Sequence, residues 1–196
     1  MKRRVLSAFL CTVLAASMLA GCGSKPGSDS ESDMEYVKDK GSLIVGITNF
    51  EPMDYQNENG EWIGFDADMA RAFAESLGVD VEFVEIDWDN KIMELDSNTI
   101  DCVWNGMTLT EDVTSAMECT DAYLQNAQVV VVPEDVADKY QDEASLSDLT
   151  FAVEAGSAGE DEVEARNFAF NSVTAQADAL MEVEAGTSDA AVIDLL

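Results

Sequence analysis

The amino-acid sequence predicts an α/β protein made of two lobes with a cleft between them. Short apolar segments rich in β-branched residues, which are typical of buried strands, alternate with segments whose apolar residues recur every three or four positions, as in helices. The alternation pauses near residues 125–135 and then begins again, which indicates two blocks. Strands that alternate with helices favour mostly parallel sheets covered by helices.

The first block contains three predicted strands and three predicted helices. The strands are 43–48, 79–86 and 100–105, and the helices are 66–77, 88–95 and 110–117. Asp66 is expected to cap the first of these helices, and Gly78 is expected to end it. Thr110 is expected to cap the third, with two acidic residues in its first turn.

The second block repeats the pattern. Its predicted strands are 128–132, 151–154, a short strand centred on Val173, and 189–196, and its predicted helices are 160–168 and 177–185. The sequence stops at Asp194-Leu195-Leu196, within an apolar strand. Because a complete domain seldom ends inside its core, we expect a C-terminal truncation that leaves the second lobe incomplete.

The N-terminus has the pattern of an export signal. Three basic residues at positions 2–4 precede an uncharged, mostly apolar run at 5–20, too short for a bilayer span. The tetrad Leu-Ala-Gly-Cys ending at Cys22 resembles the bacterial lipobox, which implies a signal peptide at 1–21 and a diacylglycerol anchor on Cys22. Residues 22–34, rich in Gly, Ser and charge, are expected to form a flexible tether. We therefore expect a lipid-anchored protein on the outer face of the cell membrane.

The composition excludes several classes of function. Forty acidic residues and ten basic residues give a net charge of −30, which opposes binding to nucleic acid or to anionic lipid headgroups. There is no histidine, so Ser-His and Cys-His catalysis and the usual catalytic zinc sites are excluded. We expect no metal, no cofactor and no enzymatic activity.

Four segments together resemble the bacterial solute-binding protein family 3, the amino-acid-binding components of ABC importers. They are VGITNFEPMDYQNENGEWIGFDADMARAFAESLG, DCVWNGMTLT…MECTDAYLQNAQVVVV, FAVEAGSAGE and SDAAVIDLL. The resemblance implies a type II periplasmic-binding-protein fold, with lobes at 35–127 and 128–196 that close on a small ligand. It also implies a monomer that delivers an amino acid or a related amine or amide to a membrane permease.

The resemblance implies roles for three residues that line such a cleft. Phe50 and Trp88 match aromatic positions, whose faces hold an aliphatic side chain or a cation. Asp194 matches the acid that pairs with the α-ammonium of the ligand. An amino acid is a zwitterion, so its burial requires an acidic group, an anion site and an apolar wall.

Five further residues match the polar parts of the family site. Asn105, Gly106 and Thr108 match a loop that holds the ammonium and carboxylate of the ligand. Ser157 and Ala158 match an anion site where backbone N–H groups at a helix N-terminus favour a carboxylate.

Val113 departs from the family pattern. At this position the family usually has an arginine that grips the ligand carboxylate by a two-pronged hydrogen bond. Three alternatives remain open. Thr108, Ser157 and helix N–H groups hold the carboxylate unaided, Lys91 substitutes as a weaker point charge, or the ligand has no free α-carboxylate. The sequence favours the first.

Two cysteines, Cys102 and Cys119, remain after the signal and the anchored Cys22 are set aside. They flank one predicted strand and helix, and two cysteines in an exported protein are candidates for a disulfide. The sequence leaves open whether they pair.

Two other functions compete with transport. One is a sensory lipoprotein that binds a ligand and signals to a partner protein, which sequence alone does not separate from transport. The other, disfavoured by the absence of histidine, is a dehydratase-like enzyme on the same scaffold. Its acid–base groups would have to be carboxylates such as Glu51, Asp54 or Asp194.

Overall fold

The computed structural model describes residues 32–196. The predicted signal peptide at 1–21, the predicted lipid anchor Cys22 and most of the predicted tether lie outside these residues. The first described helix, α1, is Asp33–Lys40, so it begins inside the segment predicted as tether. No helix within the described part of the chain is long and apolar enough to cross a bilayer.

A three-stranded parallel sheet forms the centre of the first lobe. Its strands are β1 (Ser42–Ile47), β4 (Asp80–Glu85) and β5 (Cys102–Val103), in the order β4-β1-β5. A small antiparallel pair, β2 (Tyr55–Gln56) and β3 (Trp62–Ile63), lies between β1 and the next helix. The helices are α2 (Phe65–Leu77), α3 (Lys91–Asp96) and α4 (Glu111–Ala116), with a 3₁₀ turn at Trp88–Asn90.

Helix α2 begins differently from the sequence prediction. The prediction that Asp66 caps it was wrong, because Gly64 is the N-cap, with φ of +123°, and a side chain there would collide with the Met53 carbonyl. Asp66 is instead a buried residue of the first turn whose carboxylate accepts a hydrogen bond from the Tyr123 hydroxyl, at 2.9 Å. The helix ends at Gly78 in the left-handed conformation, as predicted.

The second lobe is built on a four-stranded sheet. Its strands are β6 (Gln128–Val131), β7 (Thr150–Glu154), β8 (Ala169–Val173) and β9 (Ala190–Asp194), in the order β6-β9-β7-β8. Strand β6 runs antiparallel to β9, and the other neighbours are parallel. Helices α5 (Ala158–Ala165) and α6 (Gln176–Ala185) connect the parallel strands, and two 3₁₀ turns occupy Glu134–Lys139 and Glu143–Leu146.

Each lobe has its own apolar core. In the first lobe, Val45 and Ile47 of β1 pack against Ala70 and Ala74 of α2. In the second lobe, Phe151 and Val153 of β7 pack with Val163 of α5, and the Phe151 ring stacks on that of Phe168 at 5.3 Å. Strands covered on both faces are apolar along most of their length, which is why β1 and β7 were predictable from the sequence. The predicted two-lobed α/β class is confirmed.

Candidate functional site

A cavity of about 180 Å³ lies where the two lobes meet. It is at the carboxyl ends of strands β5, β7 and β9, the edge at which α/β sheets commonly bind ligands. The first lobe contributes the 3₁₀ turn, α3, the loop at 105–108 and the start of α4. The second lobe contributes the end of β7, the turn at 156–158, the start of α6 and the end of β9.

The structure brings together all but one of the residues predicted to bind a ligand. The predicted residues that line the cavity are Trp88, Asn105, Gly106, Thr108, Ser157, Ala158 and Asp194. Phe50 does not line it. Its buried ring packs behind Gly106, whose φ is +63°, and a Cβ on this glycine would lie 3.0 Å from the Phe50 Cε1. The difference arises because an aromatic side chain after a strand can turn toward the core as readily as toward the cleft.

The side chain of Asn105, which was expected to hold the ligand, is hydrogen-bonded within the protein. Its Oδ1 accepts from the Thr48 backbone N–H at 3.0 Å, and its Nδ2 donates to the Thr48 hydroxyl at 2.8 Å. Both residues are buried. The side chain of Asn105 therefore ties the end of β1 to the end of β5 and supports the loop that forms the cavity wall.

Neutral donors surround the carboxylate of Asp194. Its Oδ1 accepts from the Gln128 amide at 2.6 Å, from the Thr108 hydroxyl at 3.4 Å and from the Asn126 amide, and its Oδ2 accepts from the Gln176 amide. The Gln176 Oε1 in turn accepts from the Asp194 backbone N–H at 2.8 Å. These contacts fix the orientation of the acid at the end of β9.

The sequence did not reveal these amide donors. Asn126 and Gln128 are two residues apart, a spacing that puts side chains on one face of a strand. This spacing was the available signal, but Gln128 meets Asp194 only through the antiparallel register of β6 and β9. Gln176 starts α6, which the sequence placed one residue later.

Glu154, at the end of β7, is a further residue that the sequence reasoning missed. It lines the cavity, is only 2% exposed, and its Oε1 has no hydrogen-bond partner. Burial, and next the negative charge of Asp194, raise the pKa of Glu154 to about 8. The Thr48 hydroxyl, Lys91 and Gln176 oppose this increase.

Lys91 is buried at the meeting point of the lobes. Its Nζ donates to the backbone carbonyls of Trp88, at 3.2 Å, and Gly156, at 2.8 Å, and lies 4.9 Å from the centre of the Trp88 ring. Burial lowers the pKa of Lys91, while nearby carboxylates, first Asp89 and then Glu154, oppose that shift. Lys91 thus links the first lobe to the second, and its ammonium covers one face of the Trp88 ring.

The turn before α5 is closely packed against the first lobe. Gly156 has φ of +69°, and a Cβ there would lie 2.7 Å from the Cα of Asp89. Its N–H donates to the Glu160 carboxylate at 2.7 Å, and the other Glu160 oxygen accepts from Ser172 at 2.5 Å. Ser157 is the N-cap, because its hydroxyl accepts from the Glu160 N–H at 3.1 Å.

Comparison with known proteins identifies the family. Residues 43–191 match the bacterial extracellular solute-binding proteins, family 3. The chain belongs to this family. The predicted resemblance is therefore confirmed, and the cavity between the lobes lies where a two-lobed binding protein encloses its ligand.

Individual family 3 proteins support the assignment. The L-cystine-binding protein TcyJ of Escherichia coli (strain K12) is 33% identical over 104 residues, which are 53% of this chain and 39% of TcyJ. The arginine-binding extracellular protein ArtP of Bacillus subtilis (strain 168) is 28% identical over 181 residues, 90% of this chain and 67% of ArtP. This chain spans about half the length of the curated relatives that it matches.

A solved structure shares the fold of this chain. It is that of the ancestral amino-acid-binding protein AncCDT-1, described as a precursor of cyclohexadienyl dehydratase. The TM-score is 0.79 and the sequence identity 32%, over 83% of this chain and 74% of the other. The type II binding-protein fold expected from the sequence is thereby confirmed.

Val113 is buried and forms part of the cavity wall. The resemblance to family 3 led us to expect an arginine at this position. The Val113 N–H donates to the hydroxyl of Thr110, at 3.2 Å, so Thr110 caps α4 as predicted. The wall is therefore apolar at this point. The neighbouring Asp112 also lines the cavity and adds a negative charge.

The candidate disulfide is absent from the structure, in which Cys102 and Cys119 are both free thiols. Cys102 belongs to β5 and packs against the core of the first lobe, and burial raises its pKa to about 12. Cys119 lies beyond α4, where its Sγ contacts the Met117 carbonyl oxygen at 3.6 Å. Within residues 32–196 no group of His, Cys, Asp and Glu side chains is arranged to hold a metal ion.

Proposed function

We propose that the protein captures an amino acid or a similar small polar solute in the cavity between its lobes and delivers it to an ABC importer. The observation that carries this proposal is the cavity itself, which seven of the eight residues predicted to bind a ligand line from both lobes. Family 3 relatives named as cystine-, arginine- and glutamine-binding proteins support the class of ligand.

We assign the residues of the site the following roles. Asp194 pairs with the positive group of the ligand, because its amide partners hold it at the cavity. Trp88, Gly106 and Thr108 form the wall of the first lobe, and Ser157 and Ala158 form the opposite wall. Phe50 and Asn105 support the loop from behind rather than bind the ligand by their side chains.

The proposal includes a domain organisation. The segment 1–21 directs export, Cys22 carries the lipid, 22–34 forms the tether, and the lobes 35–127 and 128–196 close about their connections. The protein then works on the outer face of the membrane. A Cys22→Ser variant should leave the membrane fraction and appear in the medium, whereas Cys119→Ser should remain with the membrane. Retention of Cys22→Ser on the membrane would contradict the anchor.

Isothermal titration calorimetry of the protein against a panel of amino acids and amines tests the binding function. A ligand at about 100 times its Kd should stabilise the protein by about 2.7 kcal/mol, which a thermal-shift assay also detects. An absence of both heat and thermal shift across the panel would refute solute binding.

We further propose that the protein binds without catalysis, as the names of its curated relatives suggest. The relationship to AncCDT-1, a precursor of a dehydratase, makes an enzyme the second candidate. Glu154 is the buried carboxyl group that such an enzyme would use. Mass spectrometry of the bound ligand after long incubation distinguishes the two, since a binding protein returns the ligand unchanged.

A further inference from the structure

Acidic side chains dominate the cavity. Among the described residues that line it, five carry carboxyl groups and one carries a cationic group. The acids are Asp89, Asp112, Glu154, Asp161 and Asp194, and the cation is Lys91. Negative charges close together in a partly buried site repel any further anion and attract a cation.

The single cation does not offer an anion site. The Nζ of Lys91 already donates to two backbone carbonyls, of Trp88 and Gly156, and faces the Trp88 ring. Two of its three N–H donors are thus in use, and a ligand carboxylate would compete for the third with the nearby carboxylates of Asp89 and Glu154. It would also approach Glu154, the buried acid whose negative form Lys91 helps to stabilise.

Two donors in or beside the expected carboxylate site are used by the chain itself. The N–H of Gly156 donates to Glu160, and the Ser157 hydroxyl caps the N–H of Glu160. The Thr108 hydroxyl donates to Asp194. Since the Gly156 N–H and the Thr108 hydroxyl already serve the chain's own carboxylates, and an apolar Val113 stands where the family arginine is expected, a ligand carboxylate would find fewer donors to compensate for its lost hydration.

A second observation points to a positively charged ligand. Glu154 lines the cavity, and its Oε1 is buried and without a hydrogen-bond partner in the chain. Buried polar atoms are normally paired, so an unpaired oxygen at a cavity requires a partner from outside the chain. An N–H group on a cation would provide the hydrogen bond and neutralise the charge.

We propose that the ligand is a small organic cation that carries an ammonium or guanidinium group and has no carboxylate, with its positive group bound by Glu154 and Asp194. This inference rests on the proposed function, since it names the ligand class of the same cavity. The sequence favoured a ligand carboxylate held by Thr108, Ser157 and helix N–H groups. The inference instead adopts another alternative that the sequence left open, a ligand with no free α-carboxylate.

Paired ligands that differ only in the α-carboxylate test the inference. Calorimetry at about pH 8.5, where the guanidinium stays charged, compares agmatine with L-arginine and cadaverine with L-lysine. Each amine should bind at least about tenfold more tightly than its parent amino acid. Equal or tighter binding of L-arginine, or binding of neutral L-glutamine alone, would overturn the inference while leaving solute binding intact. No binding of any amine or amino acid would overturn both.

Variants at the cavity wall make the test specific. Val113→Arg should shift the ratio of agmatine to L-arginine affinities by about tenfold or more toward L-arginine, because it restores a carboxylate partner. Val113→Leu, which keeps the wall apolar, should leave the ratio within about threefold. An unchanged ratio in a folded Val113→Arg protein would contradict the inference.

A second pair of variants does not depend on the folding of Val113→Arg. Glu154→Gln removes the unpaired carboxylate and should weaken agmatine binding by about tenfold or more, whereas Glu58→Gln, in an exposed turn, should change it by less than about twofold. Equal effects of the two substitutions would show only a response to net charge and would overturn the assignment of Glu154.

Discussion

Two regions of the molecule bury carboxyl groups, and their surroundings differ. Next to the start of α2, Asp54 is fully buried with neither oxygen hydrogen-bonded, beside Asp66. At the end of β7, Glu154 is buried beside Asp194. In each region burial is the larger cause, and the neighbouring acid the second, of a pKa raised to about 8.

The difference between the regions lies in what can reach the acid. Asp54 is enclosed by protein, where the Ala67 N–H and the charge of Arg71 oppose only part of the cost of burial, so its ionisation destabilises the fold. Glu154 stands at a cavity, where a cation can compensate its charge. The comparison teaches that two carboxyl groups with similarly raised pKa values can differ in role, because only the one at a cavity can bind a ligand.

The largest expected effect is on binding at Asp194. Asp194→Asn removes the charge proposed to pair with the ligand and should weaken binding by about 2–5 kcal/mol, the range for losing one partner of a buried charge pair. Calorimetry measures it. Asp148→Asn, an exposed residue of the same lobe, is the control and should have almost no effect. Binding within about threefold of wild type in Asp194→Asn would remove this residue from the site.

The next effect is on stability at Asp54. Because its pKa rises from 3.8 to about 8 on folding, the contribution of Asp54 to stability is most favourable below about pH 4 and is lost as the pH rises to about 8. Asp54→Asn should therefore add about 1–4 kcal/mol at pH 8, with little gain at pH 4, and leave ligand affinity nearly unchanged. Urea unfolding at several pH values measures the gain. A gain independent of pH would contradict the assignment.

A smaller effect concerns the pH dependence of cation binding. Glu154 faces Asp194, Lys91, Thr48 and Gln176, and its pKa is about 8. Ionisation of Glu154 should therefore strengthen agmatine binding, by up to about tenfold per pH unit, as the pH rises from about 6 toward 8. The dependence should flatten in Glu154→Gln and persist in Asp54→Asn. Calorimetry across this pH range shows whether the ionisation of Glu154, and not that of Asp54, strengthens agmatine binding.

The smallest effect is at Tyr123. Its hydroxyl donates to the Asp66 carboxylate, so Tyr123→Phe leaves a buried acid with one partner fewer and should cost about 0.5–1.5 kcal/mol of stability. Tyr55→Phe, in the two-residue strand β2, is the control. An unchanged unfolding midpoint in Tyr123→Phe would mean that the hydrogen bond adds nothing beyond what water provides.

Local signals explain which features the sequence predicted well. The capping role of Thr110 and the end of α2 at Gly78 depend on neighbouring residues, and both were predictable. Asp66 shows the limit of such signals. Gly64, two residues earlier, was the better cap because its glycine conformation lets the chain pass the Met53 carbonyl, a contact set by the fold.

The less predictable features depend on residues far apart in the chain. Gln128 meets Asp194 across 66 positions through strand register, and Lys91 reaches the Gly156 carbonyl across 65. Neither contact leaves a periodic signal. The same reason explains why Glu154 was missed, since its position reads as the last residue of a buried strand.

The glycine at position 156 allows the backbones of the two lobes to lie close together. Its backbone lies so close to Asp89 that no side chain fits between them. Gly156→Ala should act as a wedge that stops the lobes short of full contact and lengthens the reach of the Lys91 ammonium to the carbonyl it now holds. The absence of a Cβ at position 156 thus provides the clearance that lets the two lobes come together at this point.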